Sequence, residues 1–152
     1  MTGRDQPASS LASSALQHLS ARGLIEQSTD LQAIDAALDE GMVSFYTGYD
    51  PTASSLHVGH LLTMMAMRQM QRAGHRPIII IGGATAMVGD PTGKSETRKM
   101  LSAEAIGANI VAIRAQLSRF VHFDSGEPND AILLDNSTWL MGVGYVEFLR
   151  DY

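Results

Sequence analysis

Residues 58–83 read VGHLLTMMAMRQMQRAGHRPIIIIGG. From Val58 to Ala73 the apolar positions recur at helical spacing, Gly74 closes the run, and Pro77 keeps a helix from continuing. Ile78-Ile79-Ile80-Ile81 follows, a continuous apolar run held between Pro77 and Gly82-Gly83, as expected for a strand buried on both faces. One helix feeding one buried strand is the unit of an α/β fold. Upstream, Leu11–Arg22 predicts an amphipathic helix ended by Gly23. Asp30 can cap a second helix through Glu40, with Leu31, Ile34, Ala37 and Leu38 on one face and Gly41 as the stop. Met42–Tyr46 is strand-like and Gly48 breaks it.

Downstream, Ser102 caps a long helix in which Ile106, Ile110, Ile113, Leu117 and Val121 recur at helical spacing. Glu127–Asp130 is a turn, Ala131–Asp135 a second buried strand, and Ser137 or Thr138 opens a last helix reaching Arg150 and Asp151. This alternation predicts a parallel sheet with crossover helices on both faces. Ligands of such sheets sit beyond the carboxyl ends of the strands, at the topological switch point. Three segments therefore carry the candidate site: Tyr46–His60, Gly82–Lys99 and Asn136–Trp139.

The chain has 152 residues, 45% of them apolar and 18% charged, which excludes a disordered tail, a collagen-like repeat and a coiled coil. It has no cysteine, hence no disulfide framework and no thiolate metal site. The first twenty-two residues lack the apolar core of a secretion signal and only faintly resemble a transit peptide, so a cytoplasmic, non-membrane protein is expected. The net charge of −5 is unevenly spread. Residues 51–100 hold six of the eleven cations (Arg68, Arg72, Arg76, Lys94, Arg98, Lys99) against two acids, Asp90 and Glu96. A basic segment in an acidic chain suits an anionic ligand held at one place, although Arg68, Arg72 and Arg76, four apart, also fit a solvated helix face.

In the first segment His57 and His60 stand three apart around Gly59, where a loop gives way to a helix. One helical face carries both imidazoles, and the helix N-terminus adds unpaired N–H groups and positive dipole. Gly59 lets a ring or phosphate approach the backbone closely. A metal pair has the same spacing, but no Cys, Asp or Glu lies nearby to complete its shell. The second segment, Gly82–Ser95, ends in Gly-Lys-Ser, yet Gly89 leaves three residues before Gly93-Lys94 where a phosphate-cradling P-loop needs four. Lys94, Arg98 and Lys99 can still follow a polyphosphate as point charges. Asp90 could hold an ammonium group or stabilise a turn before Pro91. Met64, Met65, Met67 and Met70 read as core, and His18, His75 and His122 as surface groups.

His57-Val58-Gly59-His60 resembles the HIGH motif of class I aminoacyl-tRNA synthetases. Pro51–Leu56 before it, with Gly82–Thr85, Gly89–Lys94 and Leu149-Arg150-Asp151 after it, resemble the bacterial tyrosyl-tRNA synthetases of that class. The resemblance implies the first half of a Rossmann-like catalytic domain (41–152) preceded by an N-terminal helical segment (1–40). It also implies a site, position by position. Tyr46 would bond the phenol of L-tyrosine and Asp90 its ammonium, with Asn136 and Trp139 beside the amino-acid pocket. Gly48, Asp50, Gly59 and Thr63 would hold ATP. Thr52, His57 and His60 would meet its phosphates, and Lys94 and Arg98 would gather the leaving pyrophosphate. Mg²⁺ would travel with ATP, with no metal site on the protein.

The implied activity is tyrosine–tRNA ligation by a homodimer acting on tyrosine, ATP and tRNA(Tyr). Thr47 stands where many relatives have cysteine. The chain ends before the second half of such a fold, so it is expected to be an N-terminal piece with little activity alone. The alternatives are another HIGH-type adenylyltransferase, such as a tryptophanyl-tRNA synthetase, and a non-catalytic nucleotide-binding domain.

Overall fold

The computed structural model describes residues 11–88 and 101–151. Its elements run α1 (Ser14–Ser20), α2 (Leu31–Glu40), β1 (Ser44–Tyr49), α3 (Val58–Arg72), β2 (Arg76–Ile81), α4 (Gly83–Val88), α5 (Ala103–Leu117), β3 (Ile132–Asp135), α6 (Ser137–Leu140) and α7 (Tyr145–Asp151). Among the described residues the strands form one parallel sheet in the order β1-β2-β3. Its register aligns Tyr46, Ile78 and Ile132 in one row and Gly48, Ile80 and Leu134 in another.

The caps read from the sequence are present. Asp30 accepts from the Ala33 N–H and Ser102 from the Ala105 N–H, opening α2 and α5. Gly74 takes a φ of +98°, a left-handed turn that a side chain would strain, and so reverses the chain from α3 into β2.

The crossover helices do not divide between the faces as expected. Met64 and Met67 of α3 and Ile113 and Leu117 of α5 meet Tyr49, Ile79 and Ile81 in one apolar cluster. Successive crossovers of one hand in the order 1-2-3 place their helices on the same face. Ile79 and Ile81 have no exposure at all, and burying each stabilises the fold by roughly 1.5–3 kcal/mol. The other face, with Tyr46, Ile78, Ile80, Ile132 and Leu134, stays open or half open. The isoleucine run is therefore fully buried on one side only, and among the described residues β3, expected to be buried, pairs with β2 alone, with Ile132 and Leu134 exposed on the open face. A second cluster, with Leu11, Ala15, Leu16, Leu19 and Leu38 at its centre, seats α1 and α2 against Ala66 and Met70 of α3 and Ala73, which ends it. The carboxylate of Asp35 joins it by accepting from the backbone of Ala12 and from the backbone and hydroxyl of Ser13, bonds that hold its pKa below the ordinary range.

Other boundaries moved. α1 starts only at Ser14, where Ser13 caps it. β1 passes through Gly48 because each of its residues is paired with β2. α4 lies where the sequence reading assigned no element, Val121 lies beyond the end of α5, and the last helix is two, separated by residues 141–144. Arg76 opens β2 instead of extending a helix face, and its guanidinium donates to the Pro128 carbonyl. His75 is 3% exposed rather than on the surface; burial lowers its pKa, and its Nδ1 accepts from the Val43 N–H at 3.3 Å.

Candidate active site

A cleft of about 290 Å³ opens at the carboxyl ends of β1 and β2, lined by Gly48, Tyr49, Asp50, Ile80, Gly82, Thr85 and Asn136. This is the switch region that the alternation of strands and helices singled out, and it brings the expected residues Gly48, Asp50 and Asn136 together. Glycine is a steric requirement at its wall. A Cβ on Gly82 would stand 2.5 Å from Thr85 Oγ1 and 2.6 Å from Asp50 Oδ1, and one on Gly83 would overlap the Asp135 carboxylate. The two glycines let both acidic side chains close over the start of α4.

Asn136 is 9% exposed, and its polar atoms are engaged. Its Oδ1 accepts from the Ala84 N–H at 2.8 Å, and its Nδ2 lies 3.4 Å from Thr85 Oγ1. It thereby caps the first turn of α4, a six-residue helix, from the residue that follows β3. Trp139 sits nearby on α6, 45% exposed. Asp135 is not singled out by the sequence; its position follows from its pairing with Ile81, which is non-local.

From the end of β1 the chain turns through residues 50–57 into α3. Two side chains of α5 fix that turn. Asn109 Nδ2 donates to the Pro51 carbonyl at 2.9 Å, and Gln116 both accepts from the Leu56 N–H (2.8 Å) and donates to its carbonyl (3.3 Å). Sequence reading passed over this pair, although polar residues seven apart beside the apolar stripe of α5 share one face over two turns. Thr52 is exposed in the turn.

His57 and His60 then build the first turn of α3. His57 Nδ1 accepts from the Gly59 N–H at 3.0 Å, His60 Nδ1 accepts from the His57 N–H at 3.2 Å, and the ring centroids are 4.0 Å apart. This is a capping box made of two imidazoles. Gly59 has no side chain to obstruct it; a Cβ there would come within 2.8 Å of His57 Cε1. Thr63 bonds the His60 carbonyl (2.8 Å) and Tyr49 Oη (3.0 Å). Tyr46 is 74% exposed on the open sheet face, in the row next to Gly48. Asp90, Lys94 and Arg98 lie outside the described residues. Among those described, no three His, Cys, Asp or Glu side chains are grouped to hold a metal ion, and no helix is long and apolar enough to cross a membrane.

The family "tRNA synthetases class I (W and Y)" matches residues 38–152. The chain belongs to this family. It is 52% identical over 145 residues to a tyrosine–tRNA ligase of Caulobacter sp. strain K31, covering 95% of this chain and 34% of that protein. It is 53% identical over 137 residues to one of Desulfatibacillum aliphaticivorans, covering 90% and 31%. Among solved structures, a C-terminally truncated mitochondrial tyrosyl-tRNA synthetase of Aspergillus nidulans superposes with a TM-score of 0.66 at 29% identity, over 90% of this chain and 41% of that one. The chain thus spans about a third of the length of the curated relatives it matches, and its α/β sheet is the class I fold.

Proposed function

We propose that this chain carries the ATP and tyrosine half-site of a tyrosine–tRNA ligase that activates L-tyrosine and passes it to tRNA(Tyr). The cleft between Gly48, Asp50, Gly82 and Asn136, one loop away from the His57–His60 cap, is the observation that carries this reading. The identities of about 50% to tyrosine–tRNA ligases favour tyrosine over the tryptophanyl and other adenylyl-transferring alternatives. Residues 41–152 are proposed as the first half of the catalytic domain and 1–40 as a helical segment before it. The complete protein is proposed as a cytoplasmic homodimer.

The tyrosine carboxylate attacks the α-phosphorus of ATP, an oxygen–phosphorus bond forms as that to the β-phosphate bridge breaks, and pyrophosphate leaves with the electron pair. No side chain is consumed, so catalysis consists of positioning and of donors placed where negative charge accumulates. Tyr46, exposed beside Gly48, would meet the phenol and Asp90 the ammonium. Gly48, Asp50, Gly59 and Thr63 would line the nucleotide; Thr52, His57 and His60 would face its phosphates, and Lys94 and Arg98 the pyrophosphate. Trp139 would close the amino-acid side, and Asn136 would act there through its cap on α4. Mg²⁺ would arrive with the nucleotide and supply charge neutralisation at its phosphates.

Exchange of labelled pyrophosphate into ATP by the full-length protein tests this. Exchange should require tyrosine, and loss of one donor such as Thr52 should slow it about a hundredfold, or roughly 3 kcal/mol. Exchange supported by another amino acid but not by tyrosine would overturn it.

A further inference from the structure

The loop between β1 and α3 is held at two points, and each point adjoins a residue assigned above to the phosphates. Pro51 and Leu56 are buried, whereas residues 52–55 and His57 are exposed. Apolar burial has no direction, so it fixes where Pro51 and Leu56 sit without fixing how their peptides are turned. Hydrogen bonds from α5 do that. Asn109 Nδ2 donates at 2.9 Å to the Pro51 carbonyl, which belongs to the peptide leading into Thr52. Gln116 Oε1 accepts from the Leu56 N–H at 2.8 Å, and its Nε2 donates to the Leu56 carbonyl at 3.3 Å. One carboxamide thus orients the peptides on both sides of Leu56, the second of which leads into His57. Among the described residues no other side chain bonds the backbone of residues 51–56. Asn109 and Gln116 share one face of α5, about 10 Å apart along its axis, so a single rigid helix sets both ends of the loop.

We infer that Asn109 and Gln116 are positioning residues of the reaction, Asn109 setting the aim of Thr52 and Gln116 that of His57. The inference rests on the function proposed above, in which both loop residues meet charge that accumulates as pyrophosphate departs. The two α5 side chains act through the loop backbone and not on substrate. Donors that stabilise a transition state must be held in place before it forms, so a small turn of either peptide costs rate. It costs less in stability, because Pro51 and Leu56 remain buried. Loss of a brace therefore lowers kcat and leaves KM for tyrosine unchanged, since Tyr46 is held on β1 by its pairing with Ile78.

Double-mutant cycles in the full-length protein test this, read as tyrosine-dependent pyrophosphate exchange per folded molecule. Gln116→Met and Asn109→Leu keep size and remove the bonds. Each should lower kcat about tenfold, with KM for tyrosine within about twofold of the parent. On a His57→Asn background, which keeps a side chain fit for an N-cap, Gln116→Met should cost less than about twofold while Asn109→Leu keeps its whole effect. On a Thr52→Val background the pattern should reverse. Additive losses in all four combinations, or a KM for tyrosine that rises as kcat falls, would overturn the inference by showing a general loosening. Gln116→Asn, which withdraws the amide by one methylene, gives the same reading if Gln116→Met does not fold. Amide hydrogen–deuterium exchange at Leu56 should quicken about fivefold in Gln116→Met and stay at the parent rate in Asn109→Leu. An unchanged rate at Leu56 in both would overturn the inference too, since no brace would be there to lose. If Thr52→Val and His57→Asn alone leave pyrophosphate exchange at the parent rate, the function proposed above falls and takes the inference with it. If they slow it and the α5 variants do not, the inference alone fails.

Discussion

At the amino ends of β2 and β3 polar side chains close on one another, whereas at the carboxyl ends similar residue types are left with capacity to spare. Gln71, 3% exposed, donates to the carbonyls of His122 and Asn129 and accepts from the His122 N–H, while Asn129 returns a bond to the Gln71 carbonyl. Ser125, His122 and Asp130 hold the next loop in a triangle of bonds at 2.6, 2.7 and 3.2 Å. Serine, histidine and aspartate invite comparison with a catalytic triad, but here the serine and the carboxylate crowd the same ring nitrogen, Nδ1, and the cluster is a clamp. Across the sheet, His57 and His60 spend only Nδ1 on structure and Thr52 and Asp50 are exposed. Histidine or aspartate alone does not mark a site; unspent hydrogen-bonding capacity beside a cleft does.

That contrast breaks first where backbone approach is closest. Gly83→Ala forces a methyl into the space of the Asp135 carboxylate, and with the α4 start displaced it should cost about 2–3 kcal/mol of stability. Tyrosine-dependent exchange by the full-length protein should fall more than tenfold with it. A variant with parent-like urea unfolding and exchange would show the carboxyl end to be more yielding than its packing indicates. Gln71→Ala probes the opposite end. It leaves the part-buried His122 N–H without an acceptor, and the His122 and Asn129 carbonyls without their shared donor, and should cost about 2 kcal/mol in urea unfolding. Its kcat for exchange at a temperature where it is folded should match the parent, and a lower kcat would erase the division between the two ends.

The sequence disclosed whatever is governed by local chemistry. Asp30, Ser102 and Gly74 mark helix ends through bonds or turns within a few residues, and the isoleucine run between Pro77 and Gly82 marks β2. It was silent where partners are distant. The Ala84 N–H in the first turn of α4 finds its acceptor in Asn136, fifty-two positions on, so no local signal announces that helix. Gly48 looks like a breaker until its pairing with Ile80 is known, and which isoleucines face solvent depends on both crossovers lying on one side. Of the candidate site, Gly48 and Asp50 at the cleft and His57, Gly59 and His60 at the start of α3 could be picked out from the sequence, because their pattern is contiguous. The site was illegible at Asn109, Gln116 and Asp135, which reach it from other elements.

A smaller effect sharpens the site's specificity. Tyr46 is 74% exposed, so removing its hydroxyl should leave unfolding unchanged. If that hydroxyl bonds the substrate phenol, Tyr46→Phe should narrow the preference for tyrosine over phenylalanine about tenfold, because a site built around a hydroxyl rejects analogues lacking one. The ratio of kcat/KM values for the two amino acids measures this, and an unchanged ratio places Tyr46 outside the pocket.

The mildest prediction concerns the clamp at the amino end and turns on the sign of a pKa shift. The Ser125 hydroxyl, the His122 ring, and the backbone N–H groups of Gly126 and Ser125 bring the Asp130 pKa down from 3.8 to about 2. A carboxylate whose pKa is lower in the folded than in the unfolded chain stabilises the fold above the unfolded value, and that contribution is lost as pH falls toward the folded one. Asp130→Asn keeps the shape and removes the charge. Its urea midpoint should lie below the parent's at neutral pH, with the gap constant down to about pH 4 and closing as pH falls toward 2. A gap that persists unchanged through this range would assign the role of Asp130 to packing rather than charge. The exchange kcat of the full-length variant should stay at the parent value, since a cluster bonded to itself at the amino end has nothing left to offer the cleft at the other.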